Sequence, residues 1–165
     1  GAPGHEEYGI GALVDGAAHQ VVLDEGAARM TGASDAYIDN EVARQLAEIE
    51  RRRALYMTGP PVPVEGQAVV VVDDGIATGG TVRAALKGIA QAKPARVVLA
   101  VPVAPEDVLV DLGKLCDQVV CLATPQPFHA VGAHYRDFRQ TSDEEVIGLL
   151  AKARQRSGRS HTGLA

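Results

Sequence analysis

Two adjacent carboxylates and a loop of small residues stand between an apolar run and a helical run of this sequence. Asp73 and Asp74 follow Val69–Val72, and the Thr-Gly-Gly-Thr of Thr78–Thr81 precedes the helical run Val82–Ala92. Paired carboxylates accept hydrogen bonds from vicinal hydroxyls or hold a hydrated Mg²⁺ ion. Glycine-rich backbone at a helix start directs several N–H groups at one anion. Hydroxyls beside a phosphate describe a ribose 5-phosphate, which this stretch is therefore predicted to bind.

A strand would place these groups at the edge of a sheet. The four consecutive valines of Val69–Val72 predict a parallel strand that is buried on both faces. Ligands of open α/β sheets bind just beyond the carboxyl ends of such strands, where Asp73 and Asp74 would lie. The alternative is an ordinary strand–turn–helix with an acidic corner, and the length of the motif argues against it. A Walker A loop is excluded, because no Gly-Lys-Ser/Thr follows the glycines.

The stretch Val69–Thr81 closely resembles the phosphoribosyl-pyrophosphate signature of type I phosphoribosyltransferases. That signature is an apolar run, two acids, a few variable residues and then Thr-Gly-x-Thr or a similar sequence. The resemblance implies a three-layer α/β/α fold with a mainly parallel sheet. It also implies transfer of a phosphoribosyl group from phosphoribosyl pyrophosphate to a nitrogen base, with release of pyrophosphate. The implied cofactor is Mg²⁺, carried mainly by the substrate pyrophosphate.

The resemblance also assigns roles to individual positions. Asp73 and Asp74 are implied as catalytic residues that hold the ribose hydroxyls. Purine-salvage enzymes for 6-oxopurines carry an Asp at the position of Ala77, where it handles the base proton. Uracil-type enzymes are more similar to this sequence, with Ala-Thr-Gly-Gly at the same place, so the acceptor base stays open. The residues implied to bind substrate are Asp73, Asp74, Gly75, Ala77, Thr78, Gly79, Gly80, Thr81, Phe128 and Tyr135.

An irregular segment, Thr124–Gln140, carries most of the late aromatic residues. It follows the predicted strand Gln118–Leu122 and should therefore overhang the same edge of the sheet as the two acids. Phe128 and Tyr135 there would either stack on a flat base, as the hood implied by the resemblance does, or pack onto the core. The sequence favours neither interpretation.

The remaining elements alternate between strands and helices, which predicts a parallel sheet. Two short apolar runs near the start predict a hairpin around Asp15-Gly16, and Ser34 is a predicted N-cap. The predicted elements are strands Ile10–Val14, Gln20–Leu23, Arg96–Val101 and Gln118–Leu122, and helices Glu25–Met30, Asp35–Tyr56, Val82–Ala92, Glu106–Leu115 and one that starts after Thr141.

Three consecutive arginines, Arg51–Arg53, end the long predicted helix. They would form a solvated face paired with Glu48 and Glu50, or they would supply positive charge for a pyrophosphate. Charged helix faces are common, so the sequence favours the ion pairs.

The composition of the sequence limits the classes of function that the protein could have. The chain has 165 residues with 46% hydrophobic content and a formal net charge of −5. Nucleic-acid binding is disfavoured by this charge, and the sequence has no apolar stretch of membrane-spanning length. Cys116 and Cys121 fit no zinc or redox motif and are predicted to be reduced, in a cytoplasmic protein. His129 and His134 lack partners at metal-ligand spacing, so we predict no metal held by protein side chains alone.

The resemblance leaves two family features without a counterpart in this sequence. Family members begin with two further parallel strands and a pyrophosphate-binding loop, and without them the valine strand would have an open edge. We expect a fragment of a longer protein, with a shortened relative as the alternative. Its predicted parts are an incomplete domain over residues 1–153 and a flexible tail over 154–165. Alone, it would bind phosphoribosyl compounds without transferring them. A non-catalytic nucleotide-binding regulator, a fusion-protein fragment and a homo-oligomer stay open.

Overall fold

The computed structural model describes the backbone of residues 11–14, 20–23, 34–60 and 62–160, and the side chains of residues 34–60 and 62–156. Short 3₁₀ turns cover Gly113–Leu115 and Val131–His134. The strands and helices, in chain order, are β1 (Gly11–Val14), β2 (Gln20–Leu23), α1 (Asp35–Tyr56), β3 (Ala68–Val72), α2 (Gly80–Gln91), β4 (Arg96–Val103), α3 (Glu106–Leu112), β5 (Gln118–Ala123) and α4 (Asp143–Ser160).

The central sheet has the strand order β3-β4-β5, and both pairs of neighbours are parallel. Val71 of β3 stands beside Leu99 of β4, which in turn stands beside Val119 of β5. Helices separate the successive strands, as the alternation in the sequence requires. The predicted α/β class with a mainly parallel sheet is therefore confirmed.

The hairpin of β1 and β2 forms a separate two-stranded antiparallel sheet, with Val14 opposite Gln20. This confirms the predicted pairing of the two short apolar runs, and β1 lies against α2. The turn at Asp15-Gly16 and the predicted helix Glu25–Met30 lie outside the described residues.

The hydrophobic core lies between one face of the sheet and the helices α2 and α3. Alternate residues of β4 point into it, and Leu99 is completely buried. Leu86 of α2 and Leu112 of α3 are also completely buried and belong to the same cluster. Ile76, in the loop after β3, closes this core near the carboxyl end of the sheet.

The opposite face of the sheet is exposed along β3 and β5, whereas the outward residues of the central strand β4 are half-buried. The exposed fraction is 58% for Val70, 73% for Val72 of β3, and 81% for Leu122 of β5. The prediction that the valine strand is buried on both faces is therefore wrong. The physical reason is that β3 is an edge strand, and no element within the described ranges covers its outward face. Among the described strands β3 pairs only with β4, which leaves its other edge open, as expected from the sequence.

Helix α1 starts at the predicted N-cap Ser34, and α4 starts after Thr141 as predicted, with Ser142 as its cap. The backbone N–H of Tyr37 donates to Ser34 Oγ at 3.2 Å. At the start of α4, Glu145 N–H donates to Ser142 Oγ at 3.3 Å, and Ser142 N–H donates to a Glu145 carboxylate oxygen at 2.9 Å. This reciprocal pair is a capping box, which fixes where α4 begins.

The three arginines of α1 are engaged in ion pairs, as the sequence favours. Arg51 also reaches Asp143 of α4 at 2.7 Å and lowers the pKa of that carboxyl, with Tyr56 donating a further hydrogen bond to it. These pairs tie α1 to α4, although such exposed pairs typically contribute only about 0.2–1 kcal/mol each. The pairs within α1 are Arg51–Glu48 at 2.8 Å, Arg52–Glu48 at 2.6 Å and Arg53–Glu50 at 3.2 Å.

Several element boundaries differ from the predicted ones. Strand β4 continues to Val103 instead of ending before Pro102. The ladder between β4 and β5 continues past Pro102, with Val101 opposite Cys121 and Val103 opposite Ala123, and it omits Pro102, which has no N–H to donate. Helix α2 begins earlier than predicted, at Gly80, and α3 is shorter than predicted.

The last helix extends beyond the predicted end of the domain. Helix α4 continues through Ser160, whereas the predicted domain ends at residue 153. The flexible tail over 154–165 stays a prediction. Among the described residues, no helix combines the length and the apolar character needed to cross a bilayer.

Adjacent valines of β3 offer a test of the half-covered sheet. Val71 packs against the core whereas the neighbouring Val72 is largely exposed. Replacing Val71 with Thr buries a hydroxyl and should lower the free energy of unfolding by about 1–3 kcal/mol. Val72→Thr keeps the same β propensity and should change it by less than about 0.5 kcal/mol. Urea unfolding measures both, and equal losses would contradict the exposed face.

Candidate functional site

The two acids occupy the tight turn that leaves the carboxyl end of β3. The backbone N–H of Asp74 donates to Asp73 Oδ1 at 2.9 Å, which orients the first carboxylate over the turn. Two residues further on, the N–H of Ile76 donates to the carbonyl oxygen of Val103 at 3.0 Å. The acidic turn is therefore attached to the end of the neighbouring strand β4, while the buried Ile76 side chain anchors it in the core.

Gly75 is required by the close packing around this turn. A Cβ atom on Gly75 would lie 2.5 Å from Val131 Cγ1 and 2.9 Å from Val103 Cγ2. Real Cβ atoms do not approach other atoms so closely. The 3₁₀ turn that contains Val131 thus sits directly on the backbone of the acidic turn, and Gly75 makes that approach possible.

The two glycines before α2 have different roles. Gly79 is the N-cap residue and has φ +80°, in the left-handed region, and a Cβ there would also meet Val108 Cγ1 at 2.9 Å. Gly80 is the first helical residue, and a Cβ on it would have open space. The bend into the helix therefore depends on Gly79, whereas Gly80 leaves the surface in front of the helix unobstructed.

This bend exposes a set of hydrogen-bond donors. The first N–H groups of α2, which begins at Gly80, have no carbonyl partners within the helix. Thr78 and Thr81 flank them, and both residues are exposed. Among the described contacts, neither hydroxyl has a hydrogen-bond partner. Backbone and side-chain donors at one helix start are the arrangement that binds an anionic oxygen group.

The carboxyl of Asp73 has a raised pKa. Its main cause is the removal of the group from water by the surrounding protein, although part of the residue's surface remains exposed. The hydrogen bond from the Asp74 backbone opposes this shift, and the negative charge of the Asp74 carboxylate adds to it. Two like charges are therefore held close together, which a cation or the hydroxyl donors of a ligand would relieve.

The aromatic segment after β5 reaches the acidic turn through Tyr135. Its hydroxyl donates to the backbone carbonyl of Asp74 at 2.5 Å, and its ring lies 5.0 Å from that of Phe138. The ring of Phe128 lies 5.0 Å from that of His134. Tyr135 thus braces the segment against the acids, and Phe128 is the aromatic ring that faces the adjoining groove.

A groove of about 790 Å³ extends from the threonine loop across the ends of the three parallel strands. The loop after β3 contributes Ala77 and Thr78, and the segment after β5 contributes Gln126 and Phe128. The remaining wall comes from the start of α3, including Pro105, Glu106, Asp107 and Val108. The sequence indicated the first and last of these walls but missed Glu106, Asp107 and Gln126. Their position in the sequence could have revealed them, since they too follow the carboxyl ends of parallel strands.

The metal-binding chemistry of the described side chains is limited to pairs of acids. No group of three or more His, Cys, Asp or Glu residues suited to a metal ion occurs among the described residues. Asp73 and Asp74 offer oxygen ligands to a hard cation that keeps most of its water. This donor set fits a Mg²⁺ ion held partly by a substrate, and it does not form an all-protein cage.

Comparison with known proteins identifies the origin of this arrangement. A family profile described as "Phosphoribosyl transferase domain" matches residues 40–135, which include the acidic turn and most of the groove. The chain belongs to the phosphoribosyl transferase family. Two Mycobacterium tuberculosis proteins, from strains CDC 1551 and H37Rv, are provisionally named phosphoribosyl transferases and are each 42% identical to it over 155 residues.

The extent of these similarities differs between the relatives. The aligned residues cover 93% of this chain but 34% of each mycobacterial relative, so the chain spans about a third of their length. The crystal structure of TT1426 from Thermus thermophilus is 38% identical, with a TM-score of 0.61 over 92% of this chain and 71% of that protein. The phosphoribosyl transferase fold inferred from the acidic motif is therefore confirmed.

The unequal roles of the two loop glycines predict unequal effects of alanine. Gly79→Ala puts a side chain into a left-handed conformation, which costs about 1–2 kcal/mol, and also crowds Val108. Gly80→Ala has room and should stabilise the helix start by about 0.4–1 kcal/mol. Chemical unfolding of the two variants measures the difference, and a loss at Gly80 as large as that at Gly79 would refute the assigned geometry.

The raised pKa of Asp73 predicts that this residue makes the folded protein less stable as the pH rises. A folded-state pKa above the unfolded value of 3.8 means that the ionised carboxylate is unfavourable in the folded state. Asp73→Asn should therefore raise Tm at pH 7, and this gain should vanish once the pH falls below that unfolded value. Thermal melts across this range measure it. Asp39→Asn, a substitution of an exposed residue on α1, controls for the loss of one negative charge. If the gain in Tm of Asp73→Asn persisted at low pH, the unfavourable ionised carboxylate could not be its cause.

Proposed function

We propose that this domain binds phosphoribosyl pyrophosphate and supplies the phosphate site and the two carboxylates for transfer of the phosphoribosyl group to a nitrogen base. The observation that carries this proposal is the adjacency of two carboxylates and an anion-binding helix start on one loop, Asp73–Thr81, fixed to β4. A ribose 5-phosphate carries both hydroxyls and a phosphate, the two kinds of group that these residues would bind. Family membership supports the same class of reaction.

The 5-phosphate would bind at the start of α2. The free N–H groups from Gly80 onward would donate to its oxygens, and the hydroxyls of Thr78 and Thr81 would donate from either side. The positive end of the helix dipole would contribute about 0.3–1 kcal/mol to an anion there. The open space in front of Gly80 gives the phosphate room to approach the backbone.

The carboxylates would act on the ribose. Asp73 and Asp74 would accept hydrogen bonds from its hydroxyls and so fix the orientation of the sugar. During transfer the bond from C1 of the ribose to pyrophosphate breaks, a bond from C1 to the base nitrogen forms, and positive charge develops on the sugar ring. Carboxylates held nearby stabilise that charge, since preorganised charges favour the transition state.

Magnesium fits this arrangement as a companion of the substrate. When bound, it would neutralise the charge that the leaving pyrophosphate gathers, and most of its ligands would be pyrophosphate oxygens and water. Asp73 and Asp74 would hold it through the ribose hydroxyls or through water. The base would lie in the adjoining groove, with the ring of Phe128 along one face.

Ligand binding tests this proposal directly. Ribose 5-phosphate should bind measurably in calorimetry, whereas ribose should not. The double variant Thr78→Ala/Thr81→Ala loses two hydrogen bonds to a charged group, each contributing about 1.5–3 kcal/mol, and should weaken binding at least about tenfold. Thr58→Ala, an exposed threonine after α1, is the matched control and should bind normally. Equal affinity for ribose and ribose 5-phosphate would refute the phosphate site.

The proposed role of the two acids is tested with a different pair of ligands. Asp73→Asn and Asp74→Asn should weaken Mg²⁺-dependent binding of phosphoribosyl pyrophosphate more than binding of inorganic phosphate. An equal loss for both ligands would show that the acids are structural. Release of pyrophosphate in the presence of uracil, hypoxanthine, guanine or adenine distinguishes transfer from binding alone.

A further inference from the structure

We infer that the groove beside Thr78 selects acceptors that carry N–H donors and no negative charge, and that Glu106 and Asp107 set this preference. The inference rests on the proposed function, because it assigns the groove to the acceptor base. It adds a substrate class, which neither the family nor the acidic motif specifies.

The charges along the groove are of one sign. Glu106 and Asp107 stand in its wall, and both are exposed. Neither carboxylate has an ion-pair or hydrogen-bond partner among the described residues, whereas Asp111 on the same helix pairs with Lys114 at 2.8 Å. The described lining contains no Lys, Arg or His. An acceptor with a carboxylate would therefore meet two negative charges and no described positive one.

The uncharged part of the lining defines the shape of the acceptor. The ring of Phe128 and the side chains of Pro105 and Val108 give the groove flat and apolar surfaces. A planar heterocycle buries its faces well against such surfaces. Its edge would then meet Glu106, Asp107 and the Gln126 amide.

Hydrogen-bond capacity decides which edge is preferred. Ionised carboxylates only accept hydrogen bonds, and an amide both donates and accepts. With two carboxylates and one amide, acceptors outnumber donors along the groove. A base edge with amino or ring N–H groups therefore satisfies the wall, whereas an edge rich in carbonyl oxygens leaves the carboxylates unpaired. An exocyclic amino group should be preferred over a carbonyl oxygen at the same ring position.

Three nucleotides that share one ribose 5-phosphate isolate this preference. Cytidine 5′-monophosphate has an amino group where uridine 5′-monophosphate has a carbonyl, and its N3 is an acceptor instead of an N–H donor, so it offers two N–H donors on this edge against one. Orotidine 5′-monophosphate is uridine 5′-monophosphate with an added carboxylate. Calorimetry should give affinities that fall in the order cytidine, uridine and orotidine 5′-monophosphate, with uridine 5′-monophosphate about tenfold tighter than orotidine 5′-monophosphate. The gap should narrow at about 1 M salt, where the screening length falls to about 3 Å.

Two double variants distinguish the effect of the groove carboxylates on binding from the effect of the protein's net charge. Glu106→Gln/Asp107→Asn should bring the three affinities within about twofold, because the charges that distinguish the three bases are removed. Glu65→Gln/Glu144→Gln removes two exposed acids outside the groove lining and should preserve the order. Equal affinities in the unaltered protein, or an order kept in the groove variant, would overturn this inference alone. Failure of ribose 5-phosphate itself to bind would overturn the proposed function and this inference with it.

Discussion

The site depends on the attachment of the acidic turn to the end of β4. One backbone hydrogen bond, from Ile76 to Val103 at 3.0 Å, joins the two strand ends, and the buried Ile76 side chain makes the attachment part of the core. Gly75 then allows the turn containing Val131 to pack directly onto this junction. Tyr135 adds a hydrogen bond to the same turn. The acids, the loop Thr78–Thr81 and the aromatic segment are therefore positioned by one small region at the carboxyl edge of the sheet.

At this edge of the sheet, the ionised carboxylate of Asp73 lowers the stability of the folded protein. Although Asp73 is an exposed residue, partial removal of its carboxyl from water and the charge of Asp74 raise its pKa, so its ionised form is unfavourable in the folded protein. A group retained under such a penalty is expected where its charge is used. The rigid core behind it, centred on Leu86, Leu99 and Leu112, supplies the stability that this arrangement requires.

The sheet itself is unequally covered. Helices α2 and α3 bury one face of it, whereas the outward side chains of Val70, Val72 and Leu122 are exposed. Both edge strands of the sheet therefore carry apolar side chains toward solvent, and β3 also presents an unpaired edge. Such an edge favours association with further strands.

The sequence by itself determined the local chemistry and the fold class. The acid pair, the threonine loop, the caps at Ser34 and Ser142 and the alternation of strands and helices follow from short-range patterns, which local backbone and side-chain preferences dictate. Tertiary structure alone decided that the valine strand is half exposed, because burial depends on which elements lie alongside. It also decided that Gly75 serves packing against Val131 and that Tyr135 braces Asp74, since both contacts join residues distant in sequence. Likewise, Glu106 and Gln126 became groove residues only because parallel strands bring their carboxyl ends to one edge.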